Sequence, residues 1–188
     1  MHLRNLPEPT RSGEMGRRLA AALPFSTVAS TVALDLNLTS LSGETRQLHE
    51  WLTMFHLASV VIDPFTNESS WVLDTAARVL DAFRGADVRV NFIATCTPDE
   101  AKQFLGPLAD QFMVFCDADR LFVRGLGLST LPAFVFIQGS GNVAAAEGWN
   151  AAEWRTVAKH IAEITSWQAP VLPAPGDPSP FHGTPAQG

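Results

Sequence analysis

Cysteine is scarce in this sequence, and the residues that could join it in a metal site are scattered. Only two cysteines, Cys96 and Cys116, occur in 188 residues, and the five histidines run from His2 to His182 without ligand-like spacing. Structural zinc sites usually combine four cysteine or histidine ligands at short, regular spacings. The composition therefore argues against a metal site.

Positive charge is also in short supply. The chain has 13 Lys and Arg against 19 Asp and Glu, which gives a formal net charge of −6. No cluster of basic residues is present to neutralise phosphates, and nucleic-acid binding depends on such clusters. We therefore expect no nucleic-acid partner.

Long hydrophobic runs are missing as well. No stretch approaches the roughly 20 apolar residues of a membrane-spanning helix, although 46% of the residues are apolar, as in a globular domain. The segment "LAAALPFSTVAS" after Arg17 and Arg18 weakly resembles a signal peptide. Pro24 interrupts its apolar run, and Glu8 and Glu14 make the leader acidic. We expect a cytoplasmic protein without a membrane span.

Strand-like segments are what the sequence does contain. From Val32, "VALDLNL" alternates apolar and polar residues, which is typical of a half-buried strand. "LASVVI" at residues 57–62 is a continuous apolar run, typical of a strand that is covered on both faces. "VRVNFIAT" at residues 88–95 and "FMVF" at residues 112–115 are further strand candidates. Short turns such as Ser42–Gly43 separate these segments from their neighbours.

Helical patterns lie between the strands. A short helix is predicted around residues 48–55, and "SWVLDTAARVLDAF" then places an apolar stripe on one helical face (Val72, Ala76, Val79, Leu80, Phe83). Ser69 or Ser70 is a candidate N-cap of this helix, and Gly85 a candidate stop. "TPDE" at residues 97–100 combines a Thr cap, Pro at the first helical position and a capping-box Glu. Strand, helix and strand with short connections predict a right-handed, parallel βαβ unit.

The last third changes character. "STLPAFVFI" is a strand entered through Pro132, and "GSGN" at residues 139–142 is a hairpin turn into the next strand. A helix is predicted from Asn150 to about Trp167. We therefore expect an irregular segment at residues 1–31, an α/β domain at residues 32–168, and a Pro/Gly-rich tail at residues 169–188 that is extended or disordered and forms neither helix nor strand.

The order of these elements resembles the thioredoxin superfamily, in the branch of TlpA-like reductases and peroxiredoxin-type redoxins. The resemblance spans roughly residues 32–167 and is carried by "LNLTSLSGETRQL", "VVIDPFTNESSW", "CDADRLFVRGLGL" and "TLPAFVFIQGSGNV". It implies a central mixed sheet flanked by helices, with an N-terminal β-hairpin and the Pro-rich C-terminal tail.

The catalytic cysteines of that superfamily are absent from the matching positions. Thr66 and Ser69 stand where TlpA-like reductases have the two cysteines of their Cys-x-x-Cys motif, and Ser69 stands where peroxiredoxins have the peroxidatic cysteine. A thiol at a helix N-terminus ionises readily, whereas a hydroxyl has a far higher pKa and forms no disulfide. The simplest interpretation of "TNESS" is helix capping by Thr66, Ser69 and Ser70, with Glu68 at the positive end of the helix dipole.

Two other features of the sequence bear on function. The resemblance implies a cis peptide bond before Pro132, with backbone groups of Leu131 free to pair with an extended peptide. Cys96 and Cys116 each end a predicted parallel strand, so both are expected at the rim where the Thr66 loop lies. They are either structural thiols, a redox pair, or one reactive thiol.

We therefore predict a redox-inactive thioredoxin-fold protein that acts as an accessory or scaffolding subunit and binds another protein. The alternatives are an atypical thiol oxidoreductase or peroxidase that uses Cys96 and Cys116, and a chaperone-like peptide binder at Leu131 and Pro132. We expect no catalytic residue, cofactor or metal. The predicted binding surface consists of one loop, the start of its helix, the proline site and an aromatic anchor in the tail (Phe65, Thr66, Asn67, Glu68, Ser69, Trp71, Leu131, Pro132, Phe181).

Overall fold

The computed structural model describes residues 28–187. Its strands are β1 (Asn37–Ser40), β2 (Thr45–Gln47), β3 (His56–Ile62), β4 (Val88–Ala94), β5 (Met113–Cys116), β6 (Thr130–Leu131), β7 (Ala133–Ile137), β8 (Val143–Glu147) and β9 (Thr184–Pro185). Its helices are α1 (Leu48–Trp51), α2 (Asn67–Asp81), α3 (Pro98–Leu105), α4 (Leu108–Gln111), α5 (Leu121–Gly125) and α6 (Ala151–Thr165). None of these helices has the length and apolarity that crossing a membrane requires.

A mixed sheet forms the centre of the fold. Its strand order is β2-β1-β5-β4-β3-β7-β8. β3 pairs with β4 in parallel and β4 with β5 in parallel, whereas β7 runs antiparallel to both β3 and β8. The parallel βαβ unit of β3, α2 and β4 and the mixed sheet were both predicted from the sequence, and both predictions are confirmed.

β3 lies inside the sheet, between β4 and β7, and is apolar on both faces. Leu57 and Val61 lie in one hydrophobic layer, and Val60 and Ile62 in the other. All four side chains are fully buried. Burial of one such side chain contributes roughly 1.5–3 kcal/mol. The strand is therefore firmly held, and it fixes the position of the loop at residues 63–66 that follows it.

α2 covers one face of the sheet with the predicted stripe. Val72, Ala76, Val79 and Leu80 are fully buried. The helix begins earlier than predicted, at Asn67, with Thr66 in the N-cap position. Ser69, a predicted cap, lies inside the first turn and is fully buried, because the turn that starts the helix closes already at the Thr66 N–H···O=C Asp63 bond of 3.1 Å.

A β-hairpin lies near the start of the described residues, and its bounds differ from the predicted ones. β1 and β2 pair antiparallel, with Thr39 opposite Thr45, and Gly43 takes the turn with φ +87°. The strand predicted from Val32 begins only at Asn37, and α1 ends at Trp51 rather than near Phe55. Most of the segment that was predicted as irregular, residues 1–27, lies outside the described residues.

The C-terminal segment corrects the sequence prediction. It was expected to form neither helix nor strand, yet β9 pairs with β6 in a two-stranded sheet. Leu172 and Ala186 are buried against the domain, and the Asp177 carboxylate is ion-paired with Arg78 of α2 at 2.7 Å. Proline has no backbone N–H to donate to a strand ladder, but it does not prevent an extended chain from packing on the fold that precedes it.

Candidate functional site

The loop between β3 and α2 is held together by Asp63. Its backbone N–H donates to the Ser69 hydroxyl at 2.9 Å, and its carbonyl accepts from the Thr66 hydroxyl at 2.9 Å. Its carboxylate accepts the Phe65 N–H at 3.1 Å. One residue thus fixes both ends of the loop, and the side chain of Asp63 is itself almost entirely buried.

The hydroxyls of Thr66 and Ser69 lie side by side at the start of α2. Thr66 Oγ1 and Ser69 Oγ are 3.1 Å apart, within hydrogen-bond distance. Neither hydroxyl caps the helix in the predicted way, because Thr66 makes no side-chain cap bond and Ser69 Oγ accepts from the Asp63 N–H instead. The helix-capping interpretation of "TNESS" is therefore wrong for these two side chains, which instead brace the loop against the end of β3.

Arg120 connects this loop to the C-terminal segment. Its guanidinium donates to the Asp63 carboxylate at 2.7 Å and to the Ala186 carbonyl at 2.7 Å. The guanidinium is pre-positioned by a tight turn in which Arg120 has φ +56° and the Asp117 carboxylate accepts the N–H groups of Phe122 and Val123. Burial raises the pKa of Asp117, and these two hydrogen bonds act in the opposite direction.

Arg120 was not predicted as a site residue from the sequence. The residue lies in the segment "CDADRLFVRGLGL", whose acidic turn is visible in the sequence, but its separation of 57 positions from Asp63 left no local signal of the pair. A buried aspartate at the end of a central strand needs a cationic or hydrogen-bonding partner. The position of Asp63 at the end of a buried strand is therefore a sequence signal that a cationic or hydrogen-bonding partner is present elsewhere in the chain.

The proline site has the predicted backbone geometry. The Leu131–Pro132 peptide bond is cis, and Leu131 is fully buried. The backbone of Leu131 is not free, however, because it pairs with Thr184 of the same chain. The predicted peptide-binding position is thus occupied by the C-terminal segment.

Phe181 contacts residues of its own chain rather than standing free. Its ring meets the Trp71 ring edge-on at a centroid distance of 5.6 Å. Its backbone forms a bridge with Trp149, with both N···O distances at 2.9 Å. The aromatic that was predicted to anchor a partner therefore anchors the C-terminal segment to the domain.

The remaining predicted binding residues surround the loop. Phe65 and Trp71 are 68% and 56% exposed, which is unusual for large aromatic side chains. Asn67 is exposed and Glu68 half-buried in the first turn of α2. The structure thus gathers the loop residues on one surface and links them through Asp63 and Arg120 to the chain that pairs with Leu131.

Cys96 and Cys116 lie close together, near the ends of the neighbouring strands β4 and β5. Cys116 ends β5 opposite Ala94 of β4, two residues before Cys96. Both thiols are free and buried, and both line a recess of about 290 Å³ with Thr39, Pro98 and Asp119 among its other walls.

The environment of both thiols favours the protonated form. Burial, followed by the proximity of Cys116, raises the pKa of Cys96 to about 12. Burial also raises the pKa of Cys116 to about 11, against a smaller opposing effect of Lys102. Because the thiolate is the nucleophile in disulfide exchange, neither cysteine is activated as it stands.

Comparisons with known proteins identify the architecture. No protein-family profile and no curated protein matches the sequence. Among solved structures, the chain is similar to MTB dsbF, with a TM-score of 0.58 and 16% identity over 72% of this chain and 100% of that one. It is also similar to a secreted Mycobacterium tuberculosis disulfide oxidoreductase that is homologous to E. coli DsbE, with a TM-score of 0.55 and 19% identity over 69% of this chain and 96% of that one.

A third similar structure comes from the peroxide-reducing side of the same fold. Peroxiredoxin Q of Xanthomonas campestris matches with a TM-score of 0.54 and 14% identity over 74% of this chain and 95% of that one. At identities this low, the similarity establishes shared architecture rather than shared chemistry.

Proposed function

Because the chain has the thioredoxin fold, we propose that it works by binding another protein and that its α2 N-terminus performs no thiol–disulfide exchange. The observation that carries this proposal is the bonding of Thr66 and Ser69. Both side chains at the α2 N-terminus are hydroxyls, 3.1 Å apart, and both are engaged in hydrogen bonds that hold the Asp63 loop.

These hydroxyls also lack the activation that a serine nucleophile needs. Ser69 Oγ accepts the Asp63 N–H, and its other hydrogen-bond partner is the Thr66 hydroxyl, which is not a base. A nucleophilic serine instead donates its proton to a nearby base. His56 lies at the opposite end of β3, where its Nδ1 accepts the Gly139 N–H at 2.9 Å. The arrangement supports a structural role for Ser69.

The surface around the loop suits protein binding. Phe65, in the loop, and Trp71, in the second turn of α2, present exposed aromatic area. Aromatic residues of this kind often dominate interface energetics. Asn67 and Glu68 between them add polar groups that can fix orientation. This combination supports an accessory or scaffolding subunit whose contact surface occupies the place of the superfamily's redox site.

Two assays test the two halves of this proposal. The wild-type chain should reduce insulin disulfides no faster than the uncatalysed background, and turnover that disappears in Cys96→Ser would contradict the proposal. A photo-crosslinking amino acid placed at Phe65 should give a protein adduct in cells. The matched control is the same group at Met54, which is 80% exposed but lies at the other end of β3, and equal labelling from both sites would also contradict the proposal.

A second candidate is thiol redox chemistry at Cys96 and Cys116. The observation that favours it is that both thiols line one recess, in a fold whose solved relatives include disulfide oxidoreductases and a peroxiredoxin. Their raised pKa values weigh against it, since a peroxide-reactive cysteine must be a thiolate. The remaining alternative is chaperone-like peptide binding at Leu131 and Pro132. It requires the C-terminal segment to leave Leu131, with which Thr184 pairs.

We also propose a cytoplasmic location. Two free, buried thiols fit a reducing compartment, where cysteines ordinarily remain unpaired. Fractionation of the native cell followed by detection of the untagged protein tests this part of the proposal.

A further inference from the structure

The C-terminal segment buries little apolar surface against the domain. Its buried apolar residues are Leu172 and Ala186, and between them the Asp177 carboxylate, 4% exposed, is held by Arg78. Segments with few buried apolar contacts open locally at low free-energy cost. The segment is therefore held mainly by hydrogen bonds and the Asp177–Arg78 ion pair rather than by buried apolar surface.

The backbone contacts have the form of strand addition. Leu131 lies opposite Thr184 and Thr130 opposite Pro185 in an antiparallel pair, and the Ala186 N–H donates to the Ser129 carbonyl at 2.8 Å. Without the segment, β6 would present unpaired backbone groups along this side, which is the usual template for binding an extended peptide.

Two glycines let the backbones approach closely. A Cβ atom on Gly183 would lie 2.5 Å from the Leu131 carbonyl oxygen, and one on Gly148 would lie 2.5 Å from the His182 carbonyl oxygen. Real Cβ atoms do not approach other atoms so closely, so each of these positions requires glycine. The groove thereby selects glycine at one position of the segment that it holds.

Three further positions of the segment are recognised individually. Phe181 packs edge-on against Trp71, Ala186 is fully buried and so admits only a small side chain, and Arg120 binds the Ala186 carbonyl. His182 and Pro185 are exposed and therefore unconstrained. The contacts define a pattern of aromatic, any residue, glycine, two further residues and alanine.

We propose that the groove formed by Ser129–Leu131, Gly148, Trp71 and Arg120, here called the tail groove, binds an extended segment of a partner protein with this pattern. In the structure the chain's own residues 181–186, "FHGTPA", occupy the tail groove and a partner segment displaces them. This proposal rests on the proposed protein-binding function and names the mode of recognition. A tethered occupant competes at an effective concentration on the order of millimolar, so it weakens partner binding until it is released.

The test uses a synthetic peptide and full-length variants. A fluorescein-labelled peptide with the sequence of residues 177–187, "DPSPFHGTPAQ", is titrated against wild type, Gly183→Ala and Gly176→Ala, with binding read by fluorescence anisotropy. Gly183→Ala should release the tail and raise the affinity for the peptide at least tenfold. Gly176→Ala is the matched control, because Gly176 has the same kind of positive φ, +94°, but a Cβ atom added to it would have no neighbouring atom within 4 Å, so this variant should bind the peptide as wild type does.

Specificity and release are checked in the same samples. A peptide with alanine at the position of Gly183 should not bind the released protein, and hydrogen exchange at the Ala186 amide reports whether the tail has left. If Gly183→Ala keeps that amide protected, Ala186→Glu serves as the releasing variant. A released tail without a gain in peptide affinity, or equal binding of the alanine peptide, would overturn the proposal.

Two other results would identify a different occupant of the tail groove or distinguish a failure of this proposal from a failure of the proposed function. A wild-type dimer in sedimentation that is lost in Gly183→Ala would overturn the assignment to a different protein, because the occupant would be a second copy's tail. Insulin reduction by the wild-type chain would overturn the proposed function but leave the peptide titration unchanged, so the two failures are distinguishable.

Discussion

Replacing Ser69 by alanine removes the acceptor of a buried backbone hydrogen bond. Ser69 is fully buried, and its hydroxyl accepts the Asp63 N–H at 2.9 Å at a position where Asp63 is itself only 5% exposed. The substitution leaves almost no cavity, so the lost hydrogen bond should account for most of its effect. A buried polar group left without a partner costs about 1–3 kcal/mol, and we expect the free energy of unfolding to fall by about 2 kcal/mol.

Urea denaturation followed by tryptophan fluorescence measures this change. Ser70→Ala is the matched control, because Ser70 is the next residue of the same helix but exposed, and it should shift the free energy of unfolding by less than about 0.5 kcal/mol. A Ser69→Ala variant as stable as wild type would refute the conclusion that this hydroxyl braces the loop.

The remaining predictions concern the loop, the buried thiols and the tail. Thr66→Cys combined with Ser69→Cys should create a dithiol couple with a depressed thiol pKa, since the hydroxyls are 3.1 Å apart at a helix N-terminus; ordinary thiol pKa values in a folded double variant would show that the site is misplaced. The free energy of unfolding should fall between about pH 8.5, the pKa of an unfolded thiol, and about pH 12, the folded pKa of Cys96, because the native thiol stays protonated while the unfolded one ionises. Cys96→Ala should flatten this slope in urea titrations, and an unchanged slope would contradict the burial of that thiol. Burial acts to raise the pKa of Asp177, but hydrogen bonds from the Ala174 N–H, Arg78 and Thr75 hold that pKa below its usual range, so the tail anchor is intact above the unfolded pKa of about 3.9 and is lost as pH falls through the folded value. At pH 7, the tail amides of Asp177→Asn should exchange hydrogen faster than those of wild type, as the wild-type amides should at acid pH. Wild-type protection of these amides in the variant would contradict the role of Asp177 as the tail anchor.

The elements with strong periodic patterns were predictable from the sequence. β3 is a continuous apolar run, and α2 carries its apolar residues at helical spacing, so burial alone specifies both. The capping box of Thr97 and Glu100 was likewise predicted, and the Thr97 N–H does donate to the Glu100 carboxylate at 2.9 Å. These features depend on residues that are near one another in sequence.

The site was only partly predictable because its contacts are long-range. Arg120 meets Asp63 across 57 positions and Ala186 across 66 positions, and neither contact leaves a local pattern. The start of α2 was misplaced by a few residues because several hydroxyls compete for the cap, and the Asp63 turn decides between them. The tail was misjudged because its composition predicts only that it lacks regular structure, whereas its place on the fold depends on long-range contacts such as those of Asp177 with Arg78 and of Gly183 with Leu131.

The measurement that tests the central claim most directly is a count of free thiols with intact mass, before and after treatment with peroxide and then with reductant. The central claim is that this chain functions without thiol–disulfide chemistry, with Cys96 and Cys116 as buried, protonated thiols. It predicts two free thiols on unfolding and an unchanged mass after brief exposure of the native protein to peroxide. Loss of both thiols with a mass decrease of about 2 Da, reversed by reductant, would reveal a Cys96–Cys116 disulfide couple and contradict the claim.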